Sequence, residues 1–348
     1  MAQTKEYWLQ IENHTWDVCP WGVDRAASAP LVRDASGRFR AVPQEVLVIR
    51  RYSANWAAPV DQPINPWDLA EPDAARMGAT LPGAVLEGKV ADDFVVHFRN
   101  NDQRTGVPAA ERIHSLHAHG AQQSPMFVGA YPIAPPDPAQ ANKRGDRIAP
   151  GESFTYRWTC PQRAAAGAWL IHDAGPAGAR STELGAFAVL LIRAPGEQLS
   201  DVPARVLRQP GDTATHVAAV PPPPKRADYV LVFHELPGVG LCINGRQALG
   251  NTPALIAGEG TRMTVRCLNA TATPLGVHIH GHRWEHAGET TDVQMLAPGG
   301  GASLSLLSGS FEFGGGLGEW LITGQAGSAV VSGSLVVTDG GSVSLLSA

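Results

Sequence analysis

Apolar residues fall in short runs along the chain, at 46–50, 94–98, 154–158, 186–192, 230–234, 263–268, 302–307 and 329–337, fenced by Gly, Pro or Asn. Runs of this length, rich in β-branched and aromatic residues and bounded by turn formers, predict strands. Segments with helical spacing are few. The pattern predicts an all-β chain built as β-sandwiches or Greek-key barrels.

The chain also repeats itself once. Tyr7-Trp-Leu-Gln-Ile-Glu opens the first half and Tyr229-Val-Leu-Val-Phe-His-Glu the second. Phe94-Val-Val-His-Phe-Arg-Asn-Asn is answered by Met263-Thr-Val-Arg-Cys-Leu-Asn-Ala, His117-Ala-His-Gly by His278-Ile-His-Gly, and Gly167-Ala-Trp-Leu-Ile by Gly318-Glu-Trp-Leu-Ile. Four pairs in the same order imply duplication of one unit, at a period too long for a solenoid. The expected division is a first domain over 1–197, a linker over 198–227 that ends in Pro221-Pro-Pro-Pro-Lys, and a second domain over 228–348. Residues 53–85, rich in Pro, Ala and Asn, have no counterpart in the second half and read as an insertion.

Composition narrows the picture. The 38 Gly and 28 Pro among 348 residues suit many strands joined by tight turns. A formal net charge of −5 lacks the basic footprint of nucleic-acid binding. No apolar run reaches the length of a membrane span, and the opening MAQTKEYWLQIENHTW has no apolar leader core. A cytoplasmic location is the expectation. Cys19, Cys160, Cys242 and Cys267 are scattered, form no CxxC pair and read as buried free thiols, with a single interdomain disulfide as the alternative.

Six of the twelve histidines lie in Ile113-His-Ser-Leu-His-Ala-His-Gly and Gly276-Val-His-Ile-His-Gly-His. Residues two apart on a strand share a face, so His117 and His119 present two imidazoles together, as do His278 and His280. Imidazole groups of this kind suit copper, zinc, iron or nickel. One HxH pair arises readily by chance; two HxHG copies at matching places in a duplicated chain are the stronger signal.

On these residues the sequence resembles the multicopper oxidases, including their ceruloplasmin-like and two-domain branches. Tyr7–Gly22 (YWLQIENHTWDVCPWG) is similar to the opening of a ceruloplasmin-like domain, and 111–120 (ERIHSLHAHG) to the family's first copper motif. Residues 149–175 resemble a Pro-Gly … Trp-x-x-His stretch, 276–284 the third motif and 318–325 the remains of the fourth. The resemblance implies two cupredoxin-like domains and copper as cofactor, with zinc the lesser expectation. By position, His117 and His278 would be type 2 ligands, and His119, His172 and His280 type 3 ligands. The family's cluster needs four histidine pairs. Here His172-Asp173-Ala174 and Thr323-Gly324-Gln325 stand where two of those pairs belong, leaving an incomplete set. The thiolate of an electron-transfer copper is missing as well: Gly324 stands at the family's cysteine position in the second domain, and Leu275 at its first histidine. In nitrite-reductase relatives the thiolate follows the first domain's histidine, where this chain has Asp173, while His114 matches the spacing of their type 1 histidine.

The expectation is a copper-dependent oxidoreductase with a non-blue mononuclear or dinuclear centre, acting on a small organic molecule with dioxygen. Asp173 or Glu111 would carry protons. The competing readings are a non-catalytic copper-binding or structural cupredoxin, and a zinc hydrolase using the same histidines with Asp173 or Glu235 as base. Nitrite-reductase-like chemistry is disfavoured because no electron-transfer copper feeds the site. Two-domain relatives are trimers with the cluster between subunits, so a homotrimer is expected.

Several further residues have open readings. His282 and His286 either extend the pocket or stay outside it, and Asp292 is a candidate to orient a ligand. His234-Glu235 reads as a solvent-exposed strand end before an acid–base pair. His14, His97 and His216 read as structural, and Trp169 and Trp320 as core anchors.

Overall fold

The structure is a computed structural model, and it describes residues 2–19, 23–25, 29–30, 43–60, 81–132, 145–161, 165–197, 216–217, 225–309, 314–339 and 343–344. Most of the 53–85 stretch and the proline run of the expected linker lie outside the described residues. All eight apolar runs are strands, as the pattern predicts.

Contacts divide the chain into two units. Unit 1 comprises Met1–Thr15, Glu45–Gln62 and Met77–Gln198. Unit 2 comprises Trp16–Gln44, Pro63–Arg76 and Leu199–Ala348. The principal strands of unit 1 are β1 (Thr4–Asp17, its last two residues in unit 2), β2 (Pro43–Tyr52), β3 (Val85–Lys89), β4 (Asp93–Asn101), β5 (His117–Ala118), β6 (Ser153–Thr159), β7 (Gly167–His172) and β8 (Phe187–Arg193). They form two four-stranded sheets, ordered β2-β1-β4-β6 and β3-β8-β7-β5.

In unit 2 the principal strands are β9 (Arg226–Leu236), β10 (Gly240–Ile243), β11 (Ala254–Gly258), β12 (Arg262–Asn269), β13 (Leu275–Ile279), β14 (Val293–Leu296), β15 (Gly301–Leu307), β16 (Gly318–Ala326) and β17 (Ala329–Thr338). Their sheets are ordered β10-β9-β12-β15 and β11-β17-β16-β13-β14. Apart from the extra edge strand β14, the two orders correspond strand for strand. Each unit pairs its first strand parallel to its fourth, β1 with β4 and β9 with β12.

The repeated residues explain why the orders match. The hydroxyl of Tyr7 donates to the Glu87 carbonyl (2.8 Å) and accepts from its N–H (3.0 Å). Tyr229 does the same to Ile256 on β11, at 2.8 and 3.2 Å. A buried asparagine closes the end of β4 and of β12. Asn100 donates to the carbonyls of Arg112 and Ile148, and Asn269 to those of Thr273 and Leu296. These bonds satisfy loop carbonyls that would otherwise be buried without partners.

The pairing of HxHG with Gly-x-Trp has a steric cause. Gly120 has φ +73°, and a Cβ there would lie 2.1 Å from the Trp169 ring. Gly281 has φ +69°, with its would-be Cβ 2.5 Å from Trp320. Each indole N–H donates to the carbonyl four residues back, Ala165 and Gly316. Both tryptophans anchor the turn that follows a histidine pair.

Each unit has its own core between its sheets. Leu9, Phe94, Phe98, Tyr156, Trp158 and Leu190 lie in one, and Tyr229, Phe233, Val265, Leu275, Trp284 and Leu335 in the other. Within unit 2, Arg25 forms a buried two-pronged pair with Glu319, and the Trp16 indole donates to the Gly245 carbonyl (2.7 Å).

Candidate metal centre

His117 on β5 stands opposite His172 at the end of β7, in register. His119 follows two residues after His117, and its N–H donates to the Leu170 carbonyl (2.9 Å). The strands therefore bring three imidazoles to one place in unit 1. One ring nitrogen from each lies within 4.8 Å of one from each of the others. Among the described residues this is the one group of three or more metal-competent side chains so close together.

Hydrogen bonds fix how two of these rings face. His117 Nδ1 donates to the Val128 carbonyl (2.7 Å) and His172 Nδ1 to the Asp173 carbonyl (2.8 Å). Each ring then holds its proton on Nδ1 and presents a bare Nε2, the arrangement that outer partners impose on metal-binding histidines. His119 Nε2 and His172 Nε2 are 3.1 Å apart. Two nitrogens each about 2.0–2.1 Å from one ion would be separated by about 2.9 Å at a right angle and about 3.3 Å at a tetrahedral one. Burial, then the neighbouring rings, pulls His119 down to about 4, and burial pulls His172 down. The neutral form that binds metal is therefore the ordinary one. The three residues fit a metal ion.

Unit 2 carries the second pair at the end of β13, His278 on the strand and His280 just past it. The rings of His278 and His280 stack at 4.2 Å between centroids. His280 Nε2 is 3.2 Å from the Thr323 hydroxyl, and His278 Nε2 is 3.4 Å from the exposed Asp292 carboxylate. His282 is buried. Its Nδ1 donates to the His280 carbonyl (2.9 Å) and its ring packs edge-on to Trp320, so it braces the pair from behind. His286 is exposed on a neighbouring hairpin.

The positions where the resemblance expects further ligands are filled by other chemistry. Thr323 stands opposite His278, Gly324 opposite Val277 and Gln325 opposite Gly276. Gly324 faces inward, where a Cβ would meet the Phe233 ring at 2.5 Å. Leu275 is fully buried in the same core. Hydrocarbon thus occupies the places of a thiolate and its histidine.

In unit 1, His114 is fully buried between two carboxylates, with Nδ1 2.6 Å from Asp173 and Nε2 2.9 Å from Asp102. Burial opposes its charged form, yet the hydrogen bonds and charges of these partners push its pKa above the usual range. Burial would raise Asp173, but the His114 bond and charge hold it below the ordinary carboxylate range. Asp173 Oδ1 also accepts from the N–H groups of Ser115 (2.8 Å) and Gly175 (2.9 Å). The carboxylate is shielded from solvent and committed to three donors, which weighs against the expected role of Asp173 as a proton carrier at the metal. Glu111 lies half-buried on the turn Ala109–Arg112, its carbonyl bonded to Arg104.

His234 also departs from its expected exposed position. It is fully buried on β9, accepts the Gly245 N–H (2.9 Å), and is pulled down to about 3 by burial. The sequence carried a signal for this, since His234 sits in an apolar run. Nothing in the sequence paired Asp102 with His114. The four cysteines are buried and free.

No protein-family model matches the chain. A stretch of 165 residues is 27% identical to ferroxidase HEPHL1 of Mus musculus, covering 46% of this chain and 13% of that protein. Another likeness, 29% over 158 residues, is to the venom prothrombin activator omicarin-C non-catalytic subunit of Oxyuranus microlepidotus, covering 44% of this chain and 9% of that one. The chain thus spans about a tenth of the length of these curated relatives. Among solved structures, a multicopper oxidase superposes with a TM-score of 0.55 at 14% identity, over 96% of this chain and 89% of that one. The copper nitrite reductase from Nitrosomonas europaea gives 0.53 at 14%, over 98% and 95%. Strand order and the paired histidine motifs thus accompany a fold similar to those of a multicopper oxidase and a copper nitrite reductase, with sequence likeness to ferroxidase HEPHL1 over just under half of the chain.

Proposed function

We propose that the chain is a copper-binding oxidoreductase with a non-blue centre of one or two ions, acting on a small organic molecule with dioxygen as oxidant. The observation that carries this reading is the trio His117, His119 and His172, with two rings locked so that Nε2 is bare and a 3.1 Å nitrogen–nitrogen approach. Neutral imidazoles leave an ion's remaining positions open to substrate. Bound copper would supply the one-electron redox step. The chain's own part is to fix the tautomers of His117 and His172, and to keep His119 and His172 neutral. Glu111 is the proton carrier in this proposal.

The proposal includes a homotrimer in which the trio of one subunit and His278 and His280 of the next complete a shared centre. Exposed apolar side chains support it. Met126 and Tyr131 flank the loop whose Val128 carbonyl holds His117, and the Tyr131 N–H donates to the Ala174 carbonyl, two residues past His172. In unit 2, Val293 stands opposite His278, while Met295 and Val330 line the next row across the sheet. Apolar surface around both histidine groups is what a covered face needs. Closed heterologous contacts give three equivalent sites.

A non-catalytic role is the second reading, and it draws on the relative named a non-catalytic subunit. Oxygen uptake by the copper-loaded chain, across a panel of phenols and aminophenols, separates the two. Uptake that disappears in His119→Ala supports the oxidoreductase. Bound copper with no uptake on any reductant overturns it in favour of the second reading. Retention of zinc but not copper would favour the hydrolase instead.

A further inference from the structure

The buried charges beside the trio sit at its structural joint. His114 lies three residues before His117, Asp173 directly follows His172, and those two ligands are opposite each other in register. Both nitrogens of the His114 ring meet carboxylate oxygens, so both donate and the ring is an imidazolium. Arg104 holds the far carboxylate, Asp102, through Nε (3.0 Å) and Nη2 (2.7 Å), and its own N–H reaches Oδ1 (2.9 Å). Two carboxylates, one imidazolium and one guanidinium thus share a buried space with no net charge, and each is hydrogen-bonded. Buried ionic groups that satisfy one another fully are the arrangement in which desolvation is offset.

What this network holds is the main chain of Asp173. Its carboxylate takes His114, Ser115 N–H and Gly175 N–H. Its carbonyl takes the Nδ1–H of His172 at 2.8 Å. Gly178 leaves room for that carbonyl, since a Cβ there would lie 2.6 Å from it. The Ser115 hydroxyl accepts from the Ala174 N–H (3.2 Å), which ties the two segments together again.

We propose that His114 is a positioning residue for the histidine trio: clamped between Asp102 and Asp173, it fixes the carbonyl that sets the tautomer and direction of His172. The role rests on reading the trio as a metal centre, but its test does not need metal. His117 is an internal control, because its Nδ1 partner is Val128, on a separate loop.

The test uses the full chain, metal-free, with isotope-labelled histidine, and reads each ring's tautomer from long-range proton–nitrogen NMR spectra. The wild type should show His117 and His172 both protonated at Nδ1. In His114→Gln, His117 should keep that state while His172 becomes a mixture of tautomers. Zn(II) affinity, measured separately, should fall about tenfold, as expected when an outer partner of a ligand is lost. Asp102→Asn keeps an oxygen for His114 Nε2–H and should restore the wild-type spectrum. If His114→Gln does not fold, Asp102→Ala carries the same expectation. A His172 ring unchanged in a folded variant overturns the proposal. So does scrambling of His117 together with His172, which marks a purely structural role. A chain that binds no metal yet shows the expected His172 change would sink the proposed function and leave the clamp standing.

Discussion

Gly120→Ala should be one of the costlier single-methyl additions in unit 1, and its cost divides into two parts. The residue has φ +73°, and left-handed backbone costs a non-glycine residue roughly 1–2 kcal/mol. The new Cβ would also lie 2.1 Å from the Trp169 ring, which is held by its hydrogen bond to Ala165. Forcing such a contact apart costs about 1–3 kcal/mol more. The expected total is about 2–5 kcal/mol. Gly151 isolates the first part, since it has φ +86° with nothing within 4 Å of its would-be Cβ. Gly151→Ala should therefore cost only about 1–2 kcal/mol. The assay is urea unfolding of the metal-free chain, followed by far-ultraviolet circular dichroism, for both variants in the wild-type and Trp169→Ala backgrounds. The excess cost of Gly120→Ala should vanish once Trp169 is gone. An excess that survives in Trp169→Ala, or no excess over Gly151→Ala at all, would refute the steric account of the repeated Gly and Trp.

Three other outcomes are expected. Burial opposes the charged form of Glu12, but hydrogen bonds from His14, Tyr52 and Gln10 bring it down to about 2 from 4.5. Its stabilising contribution is therefore present above about 4.5 and lost as pH falls toward 2; Glu12→Gln should flatten the acid-unfolding curve in that window, and an unchanged curve would contradict the assignment. Burial pushes Cys19, Cys160 and Cys267 up to about 12. The native chain should thus resist a thiol-specific disulfide reagent and react at all four cysteines only when denatured. Finally, Gly324→Cys should destabilise unit 2 without creating a blue copper site, because the Phe233 ring lies 2.5 Å from the new Cβ; an intense blue band in that variant would contradict the packing.

Much of this architecture was legible in the chain because duplication writes each feature twice. The HxHG and Gly-x-Trp pairs recurred in order, and the same steric contact produces both. The eight apolar runs became strands because strand burial depends on local pattern. What stayed hidden depends on contacts distant in sequence. His114 and Asp173 are 59 residues apart, and their hydrogen bond depends on the β5–β7 pairing that brings His117 opposite His172. His234 was misread because a polar pair at a strand end suggests solvent, whereas its strand runs on to Leu236 within the sheet. The placement of Trp16–Gln44 with unit 2 has no compositional mark, since Arg25 meets Glu319 across 294 residues.

The central claim is a copper centre built on the three imidazoles of unit 1 with no thiolate. Its most direct test is copper content of the loaded full chain, read together with its electron paramagnetic resonance and visible spectra. The account predicts retained copper, a nitrogen-ligated non-blue Cu(II) signal, and loss of both in His119→Ala. A chain that retains no copper, or one that shows the intense blue absorption of a Cu(II)–thiolate bond, would contradict it.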